Sequence, residues 1–365
     1  MDFPLLPCLS ALAFLTTLGL AAAVRRPGGR LPPLPKERWI DMHTHVAGIG
    51  AGGSGCFVSP RLERSWKFGW YLRSFGVTRR ELRRDGDAVV VDRLAQRLAQ
   101  SRHVGQAVVL ALDGVVDSQG GLDRAATEIY VPNEFVAAQV AKHPNLLFGA
   151  SVNPYRRDAI ERLEWCAAHG AVLVKWLPAI QDIDPADPRL IPFYRKLAEL
   201  HLPLLTHTGA EHSFTTANDA LCDPARLKLP LSQGVTVIAA HAATTGRYDG
   251  ERAIDRLARL MSEYPNLYAD ISSLTQVNKH GDLREVLHRP EFRGRLLYGT
   301  DYPLVAMPVL VSPWYELTDL SWVRCRDINR ITNPWDRDVA LKQALGVPTD
   351  VWGRATTVLR LERRH

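Results

Sequence analysis

The feature that most constrains the fold of this chain is an alternation of short apolar segments with longer amphipathic ones. Eight short segments are rich in Val, Ile and Leu and end in a polar or small residue, which is typical of strands buried on both faces of a parallel sheet. No G-x-G-x-x-G motif stands between a strand and a helix, so we predict an α/β fold of the (β/α)8 TIM barrel class rather than an open doubly wound sheet. The predicted strands are 38–42, 106–112, 146–152, 172–176, 203–206, 235–240, 267–271 and 295–298, and the predicted helices include 88–100, 134–142, 158–168, 193–200 and 251–264.

The composition is typical of a packed globular protein. Of the 365 residues, 46% are hydrophobic and 23% are charged, which excludes a disordered chain. Lys and Arg (45) exceed Asp and Glu (39) by six, and no basic block occurs, so a nucleic-acid partner is not expected. The five cysteines contain no C-x-x-C pair, which argues against a disulfide framework and against a zinc ribbon.

The N-terminal segment 1–30 is set apart by its hydrophobicity. Residues 3–24 carry no charge and are followed at once by Arg25 and Arg26, and a segment of this length can cross a bilayer as a helix. We therefore expect residues 1–30 to form a hydrophobic anchor or signal segment and residues 38–365 to form one barrel domain. Because the positive charges follow the apolar segment, they favour a membrane tether with the catalytic domain in the cytoplasm. The alternative is an exported enzyme, since small residues just before Arg25 suit signal-peptide cleavage.

Six ionisable residues come at the ends of the predicted strands. One β/α unit separates Lys175 from His207, one more separates His207 from His241, and two units separate His241 from Asp301. Active sites of (β/α)8 barrels are built at the carboxyl-terminal ends of the strands, so we expect these side chains to meet there. The candidates are His43, His45, Lys175, His207, His241 and Asp301.

These residue types indicate a metal site. Imidazole nitrogen and carboxylate oxygen suit Zn²⁺, with Mn²⁺ and Fe²⁺ as competitors. A bound metal lowers the pKa of its water from ~15.7 toward ~7, and Asp301 beside that water would orient it and carry its proton. Lys175 does not bind metal as an ammonium group, so it is expected to be neutralised by burial or carbamylated by CO₂. We therefore expect a metal-dependent hydrolase that uses metal-bound hydroxide on a small molecule.

The order of these residues resembles that of the amidohydrolase superfamily, over about residues 38–305. The superfamily pattern is H-x-H on strand one, Lys on strand four, His on strands five and six, and Asp on strand eight. The resemblance implies hydrolysis of a C–N or C–O bond in an amide, lactone or ester, with one or two divalent metal ions per chain. In binuclear members, the counterparts of His43, His45 and Asp301 bind one metal, those of His207 and His241 bind the other, and carbamylated Lys175 lies between them.

Two sequence phrases resemble one branch of that superfamily more closely. Residues 174–178 (VKWLP) and 298–303 (YGTDYP) are similar to the amidohydrolase-related branch, which includes the aminocarboxymuconate semialdehyde decarboxylases and related lactone hydrolases. The branch implies an alternative function, a metal-dependent decarboxylase (carboxy-lyase) of an unsaturated or aromatic carboxylic acid. Such a site would hold one metal and use His241 as acid/base. Lys175 favours hydrolysis if it lies in the metal crevice.

The connection after the first strand is about twice as long as one β/α unit requires. It extends from His45 to Asp113, and five glycines fall within 48–55. We expect an inserted loop over the barrel mouth, with the glycine run as a flexible lid. The alternative is a surface linker.

The remaining candidates would contact substrate or a second subunit. Arg247, Glu211 and Trp176 follow or end predicted strands and are our substrate-binding candidates, with Arg247 suited to a substrate carboxylate. Residues beyond 305 contain Trp314, Trp322, Trp335 and Trp352. This segment would close the barrel mouth or form a homo-oligomer contact, and the spacing of its residues favours neither.

Overall fold

A computed structural model describes residues 39–211 and 217–363, and its centre is a parallel eight-stranded barrel. The strands pair in chain order, and backbone hydrogen bonds between the first strand and the residues after the eighth bring the two sheet edges together: Asp301 donates to His43 at 2.9 Å and His45 donates to Tyr302 at 2.8 Å. The predicted TIM barrel is confirmed. The strands are β1 Trp39–His45, β2 Val104–Leu110, β3 Leu146–Ala150, β4 Leu173–Trp176, β5 Leu204–His207, β6 Val237–Ala240, β7 Leu267–Asp270 and β8 Leu296–Leu297.

Helices connect successive strands and surround the barrel. The segment between β1 and β2 holds four helices, and three follow β8. The helices are α1 Pro60–Arg64, α2 Trp66–Phe75, α3 Arg79–Asp85, α4 Ala88–Ala99, α5 Asn133–Val140, α6 Ala159–Ala168, α7 Pro178–Gln181, α8 Ile191–Glu199, α9 Lys228–Ser232, α10 Ala253–Glu263, α11 Asp282–His288, α12 Trp322–Asn329, α13 Pro334–Ala344 and α14 Thr349–Val358.

Alternation along the strands decides what points into the barrel. Successive side chains of a strand face opposite sides of the sheet. On β4, Leu173 therefore shares the inner face with Lys175, and on β5 Leu205 shares it with His207. Leu173 and Leu205 belong to a buried apolar cluster that also contains Leu359, a residue just after α14. The barrel interior is thus apolar at one end and ionisable at the other.

The glycine run after β1 is held in place by one carboxylate. Asp87 accepts hydrogen bonds from the backbone N–H of Ile49 at 3.0 Å, the N–H of Gly50 at 2.8 Å and the hydroxyl of Ser54 at 2.5 Å. These contacts tie residues 48–55 to the start of α4. The run does not line the central cavity, whereas α1 and α2 do, so the insertion covers the barrel mouth with helices.

The C-terminal segment packs against the barrel through two of its four tryptophans. Trp335 on α13 stacks on Tyr302 with ring centroids 4.9 Å apart, and Trp352 on α14 stacks on Trp39 at 4.8 Å. Both indoles are buried. Trp322 on α12 is 48% exposed. The segment therefore completes the outer layer of this chain, and the prediction of a homo-oligomer contact stays a prediction.

The expectation of a membrane-associated enzyme is corrected. Within residues 39–211 and 217–363, no helix has both the length and the apolar character needed to cross a bilayer. The apolar segment 3–24, on which that expectation depended, lies outside the described residues.

Candidate metal centre

The six ionisable candidates lie together at the carboxyl-terminal mouth of the barrel, five of them around His43 and the sixth, His207, beside His241 with ring centroids 5.1 Å apart. The Nε2 atoms of His43 and His45 are 3.1 Å apart. Asp301 Oδ1 lies 3.1 Å from Nε2 of His45 and 3.7 Å from Nε2 of His43. Lys175 Nζ is 3.3 Å from His43 Nε2, and the ring of His241 stacks on that of His43 with centroids 5.2 Å apart. The cluster thus joins β1 and β4 to the residues that follow β6 and β8.

Asp270, the last residue of β7, fixes the ring of His43 from outside this cluster. Its Oδ2 atom lies 2.8 Å from Nδ1 of His43. Burial raises the pKa of Asp270, but the charge of His43 and its hydrogen bond outweigh burial and lower that pKa below its ordinary value. Because an ionised carboxylate only accepts hydrogen bonds, Nδ1 carries the hydrogen and Nε2 keeps its lone pair. Oδ1 accepts from the backbone N–H groups of His241 at 2.9 Å and Ser272 at 3.0 Å.

The other two buried imidazoles are oriented in the same way. His241 Nδ1 lies 3.1 Å from the carbonyl oxygen of Ser272, and His207 Nδ1 lies 3.4 Å from Glu211 Oε2. Since each Nδ1 faces an acceptor, Nε2 is the unprotonated nitrogen. Among the described residues, Nε2 of His207 is buried without a hydrogen-bond partner. A buried polar atom of this kind is costly unless a ligand satisfies it.

Burial keeps these imidazoles neutral. It lowers the pKa of His43 to about 4, and the charge of Lys175 acts in the same direction. Burial likewise lowers the pKa of His207 and of His241. Metal ions bind neutral imidazole, so the cluster holds its histidines in the form that metal binding requires.

Asp301 is the carboxylate of the cluster. Its Oδ2 accepts a hydrogen bond from Ser273 Oγ at 2.5 Å, and Gln276 donates to that hydroxyl oxygen at 2.8 Å. Burial raises the pKa of Asp301, but the hydrogen bond with His45 and the charges of the neighbouring imidazoles hold it well below its ordinary value. Its φ of 61° lies in the left-handed region, which costs a non-glycine residue about 1–3 kcal/mol. The ionised carboxylate is therefore fixed by both hydrogen bonds and backbone geometry.

Lys175 lies fully inside the protein. Its side chain is 1% exposed. Burial lowers the pKa of Lys175, although the charges of Asp270 and Asp301 act in the opposite direction. The amine is thus closer to its neutral form than a surface lysine would be.

The donor set fits a divalent metal ion. One ligand atom from each of His43, His241 and Asp301 lies within 4.8 Å of the others. The ring of His207, with its partnerless Nε2, lies 5.1 Å from that of His241. Neutral imidazoles and a carboxylate are ligands that Zn²⁺, Mn²⁺ and Fe²⁺ accept.

A cavity of about 830 Å³ opens from this cluster. Its volume is in the upper part of the ~300–1,000 Å³ range of small-molecule sites. The walls are mostly apolar and come from α1 and α2 on one side and from residues 303–310 on the other. Aromatic side chains of α2 are prominent among them: Trp66, Phe68, Trp70, Tyr71 and Phe75.

The three substrate-binding candidates lie in different surroundings. Glu211 lines the cavity beside His207. Trp176 is buried on the outer face of β4, where its ring lies 5.4 Å from that of Phe193, because strand alternation turns it away from the side on which Lys175 projects. Arg247 is exposed, donates to the carbonyl of Gly250 at 2.9 Å and does not line the cavity.

Sequence reasoning missed two charged residues of the site, Asp270 and Lys279. Asp270 carried a usable signal, since it ends strand seven as the other candidates end their strands. Lys279 lies in a turn after β7 and lines the cavity. No strand position marks it, so the sequence offers no comparable signal.

Comparison with known proteins gives one match to a protein family and a set of similar structures. The model of a family described as amidohydrolase matches residues 40–321. No curated protein matches the chain.

The similar structures are distant in sequence. An uncharacterised TIM-barrel protein from Bordetella bronchiseptica has 16% identity and a TM-score of 0.51, with 84% of this chain and 99% of that one covered. The apo form of Metarhizium anisopliae IDCase has 15% identity and a TM-score of 0.50, with 90% and 99% covered. The 5-carboxyvanillate decarboxylase LigW from Sphingomonas paucimobilis has 13% identity and a TM-score of 0.48, with 88% and 99% covered. At these identities the likeness concerns the fold alone.

Proposed function

Because the chain belongs to the amidohydrolase family, whose model matches most of its length, we propose that it is a metal-dependent hydrolase of an amide, lactone or ester. The observation that carries the proposal is the position of Lys175, whose Nζ lies 3.3 Å from Nε2 of His43. A lysine in the metal crevice is the feature that favours the hydrolase over the decarboxylase interpretation of the same cluster.

We assign the metal ligands as the resemblance to binuclear amidohydrolases implies. His43, His45 and Asp301 would hold one ion, and His207 and His241 would hold a second, with Zn²⁺ as the first candidate metal. A bound divalent ion would lower the pKa of a water molecule and polarise the scissile carbonyl group.

Lys175 would complete the centre as a carbamate. Its neutral amine attacks CO₂, a C–N bond forms, and one proton is released, which leaves a carbamate with one negative charge. Burial supports this step because it lowers the pKa of Lys175 and so favours the nucleophilic amine.

Side chains of the cluster would transfer the proton of the attacking water. Asp301 stays ionised, its Oδ2 is held by Ser273, and Oδ1 is directed toward the histidines. In this orientation the carboxylate would accept a proton from the attacking water and pass it to the leaving nitrogen or oxygen. His241, held at Nδ1 by the carbonyl group of Ser272, would present Nε2 to the same centre.

The test combines metal analysis with detection of the carbamate. Elemental analysis of the full chain counts metal ions, and ¹³C NMR after equilibration with ¹³C-bicarbonate detects a carbamate carbon. We expect two metals and a carbamate signal that is absent in Lys175→Arg. The buried Lys342, paired with Asp338 at 2.9 Å, is an internal control because its ammonium group is not expected to react.

The opposite result is equally specific. One metal per chain, no carbamate signal, and CO₂ release from unsaturated or aromatic carboxylic acids would contradict the hydrolase proposal and support the decarboxylase.

A further inference from the structure

The cavity is lined by a basic group that the proposed metal chemistry does not use. Among the described residues it is lined by two lysines, Lys175 and Lys279, and by no arginine. Lys279 ends the short turn Val277–Lys279 and is only 9% exposed. No hydrogen bond or ion pair of its ammonium group is found within 39–211 and 217–363.

A buried amine that has no hydrogen bond or ion pair within the described residues needs an explanation. Removing a charge from water is costly unless an opposite charge or hydrogen bonds compensate. Elsewhere in this protein the rule holds, since buried Lys342 donates to Asp338 Oδ2 and to the carbonyl oxygen of Gly299, both at 2.9 Å. Lys279 differs in facing a cavity that admits a ligand. Burial lowers the pKa of Lys279, and the charges of Asp301, Asp282 and Glu211 act in the opposite direction. A carboxylate bound in the cavity beside Lys279 would add to their effect.

The rest of the cavity wall is mostly apolar and aromatic, so it suits a different part of the ligand from the part that Lys279 binds. Trp66 and Trp70 contact each other edge to face with centroids 6.1 Å apart, and both line the cavity. Leu304 and Leu310 contribute to the facing wall. Such walls bind apolar or aromatic groups by excluding water.

We propose that the substrate is amphipathic, with a bulky apolar body against the tryptophans of α2 and one carboxylate group paired with Lys279. Lys279 is then a specificity-determining residue that binds a substrate group other than the scissile bond. This inference rests on the proposed function, because it names the substrate class of that site.

A matched pair of probes isolates the charge. The anion of 2-naphthaleneacetic acid and the alcohol 2-(2-naphthyl)ethanol share the naphthyl group, and only the first carries a carboxylate. Isothermal titration calorimetry would give the dissociation constant of each for the wild type, Lys279→Met and Lys279→Arg. Lys142→Met is the control, because Lys142 is exposed.

We expect the wild type to bind the carboxylate roughly 10- to 100-fold more tightly than the alcohol, as for a hydrogen bond to a charged group. Lys279→Met should remove this preference, whereas Lys279→Arg and Lys142→Met should keep it. Equal binding of both probes by the wild type would overturn the proposal. A preference that persists in Lys279→Met would also overturn it, because the carboxylate would then bind elsewhere, at the metal ligands for example.

A second variant tests the apolar wall. Trp66 is 71% exposed, so Trp66→Ala should fold normally and weaken both probes several-fold while the carboxylate preference remains. Trp322→Ala, at an exposed tryptophan outside the cavity, should change neither dissociation constant. If Trp66→Ala binds both probes as the wild type does, the apolar body does not lie on this wall.

The hydrolase proposal and the proposed substrate class are tested by separate measurements. Metal content measured on the same samples tests the hydrolase centre. A wild-type protein that binds no metal but still prefers the carboxylate through Lys279 would contradict the proposed function and leave the amphipathic ligand class standing.

Discussion

Replacing Asp270 by asparagine should weaken metal binding although Asp270 is not itself a proposed ligand. The carboxylate accepts from four donors: Nδ1–H of His43 at Oδ2, and at Oδ1 the N–H of His241, the N–H of Ser272 and the hydroxyl of Ser272. An asparagine has the same shape but only one acceptor oxygen. In either amide orientation, its NH₂ group therefore faces a donor.

The size of the effect follows from which donor loses its acceptor. If the NH₂ group faces His43, the imidazole must move its hydrogen to Nε2, and that nitrogen no longer has a lone pair for a metal. If the amide turns around, the N–H groups of His241 and Ser272 lose their acceptor and the backbone after β6 shifts. Loss of such a supporting partner typically reduces metal affinity 10- to 100-fold, which corresponds to about 1.4–2.7 kcal/mol.

The assay is chelator competition for Zn²⁺, with the thermal midpoint of the metal-free protein measured alongside. Asp336→Asn is the matched control. Asp336 is also buried and accepts from Ser101 Oγ at 2.7 Å and from the N–H of Arg102 at 2.9 Å, but it lies away from the metal cluster. We expect both variants to lose stability and only Asp270→Asn to lose metal affinity. A folded Asp270→Asn protein with wild-type Zn²⁺ affinity would refute the reasoning on the His43 tautomer.

Three further outcomes are expected. His207→Ala should remove metal and activity together, since it deletes the partnerless Nε2, and a folded variant with full metal content by elemental analysis would count against that ligand. In the metal-free protein, histidine NMR should show His43 titrating near pH 4. Because the pKa of His43 in the folded protein lies below the ordinary 6.5, its contribution to stability is present above pH 6.5 and is lost as the pH falls through 4. A titration midpoint near 6.5 would contradict this. Arg156→Met should cost about 3–5 kcal/mol in chemical denaturation, because the buried Asp113 carboxylate loses its ion-pair partner. A cost under about 1 kcal/mol would contradict a structural role for this ion pair.

The barrel and most of the cluster were predictable because their signals are local in the sequence. Each strand is a short apolar run, and each proposed ligand comes at or just after the end of such a run. The same periodicity carries information that went unused, since the residue next to Lys175 on β4 must face the other side of the sheet. Trp176 therefore packs outside the barrel, against the ring of Phe193.

The cavity could not be predicted, because its walls meet only in three dimensions. Trp66 on α2 and Leu310 after β8 lie near opposite ends of the barrel domain in the chain, and no periodicity links them. The position of Lys279 in the cavity could not be predicted either, since a lysine in a turn is ordinarily solvated. Arg247 illustrates the converse case. Its position after β6 suggested a ligand contact, but its side chain is exposed and does not line the cavity, so its role in substrate binding stays a prediction.

The helical insertion between β1 and α4 supplies no proposed metal ligand, yet it furnishes the aromatic wall of the cavity. The apolar part of the proposed ligand selectivity and the proposed bond cleavage are thus encoded in separate stretches of the chain, whereas Lys279 comes after β7. For protein engineering, libraries confined to Leu62 and the cavity-facing positions of α2 would vary ligand preference against a constant reactive centre. In evolution, the same separation allows a lineage to exchange substrates by altering this insertion while its metal chemistry is inherited unchanged.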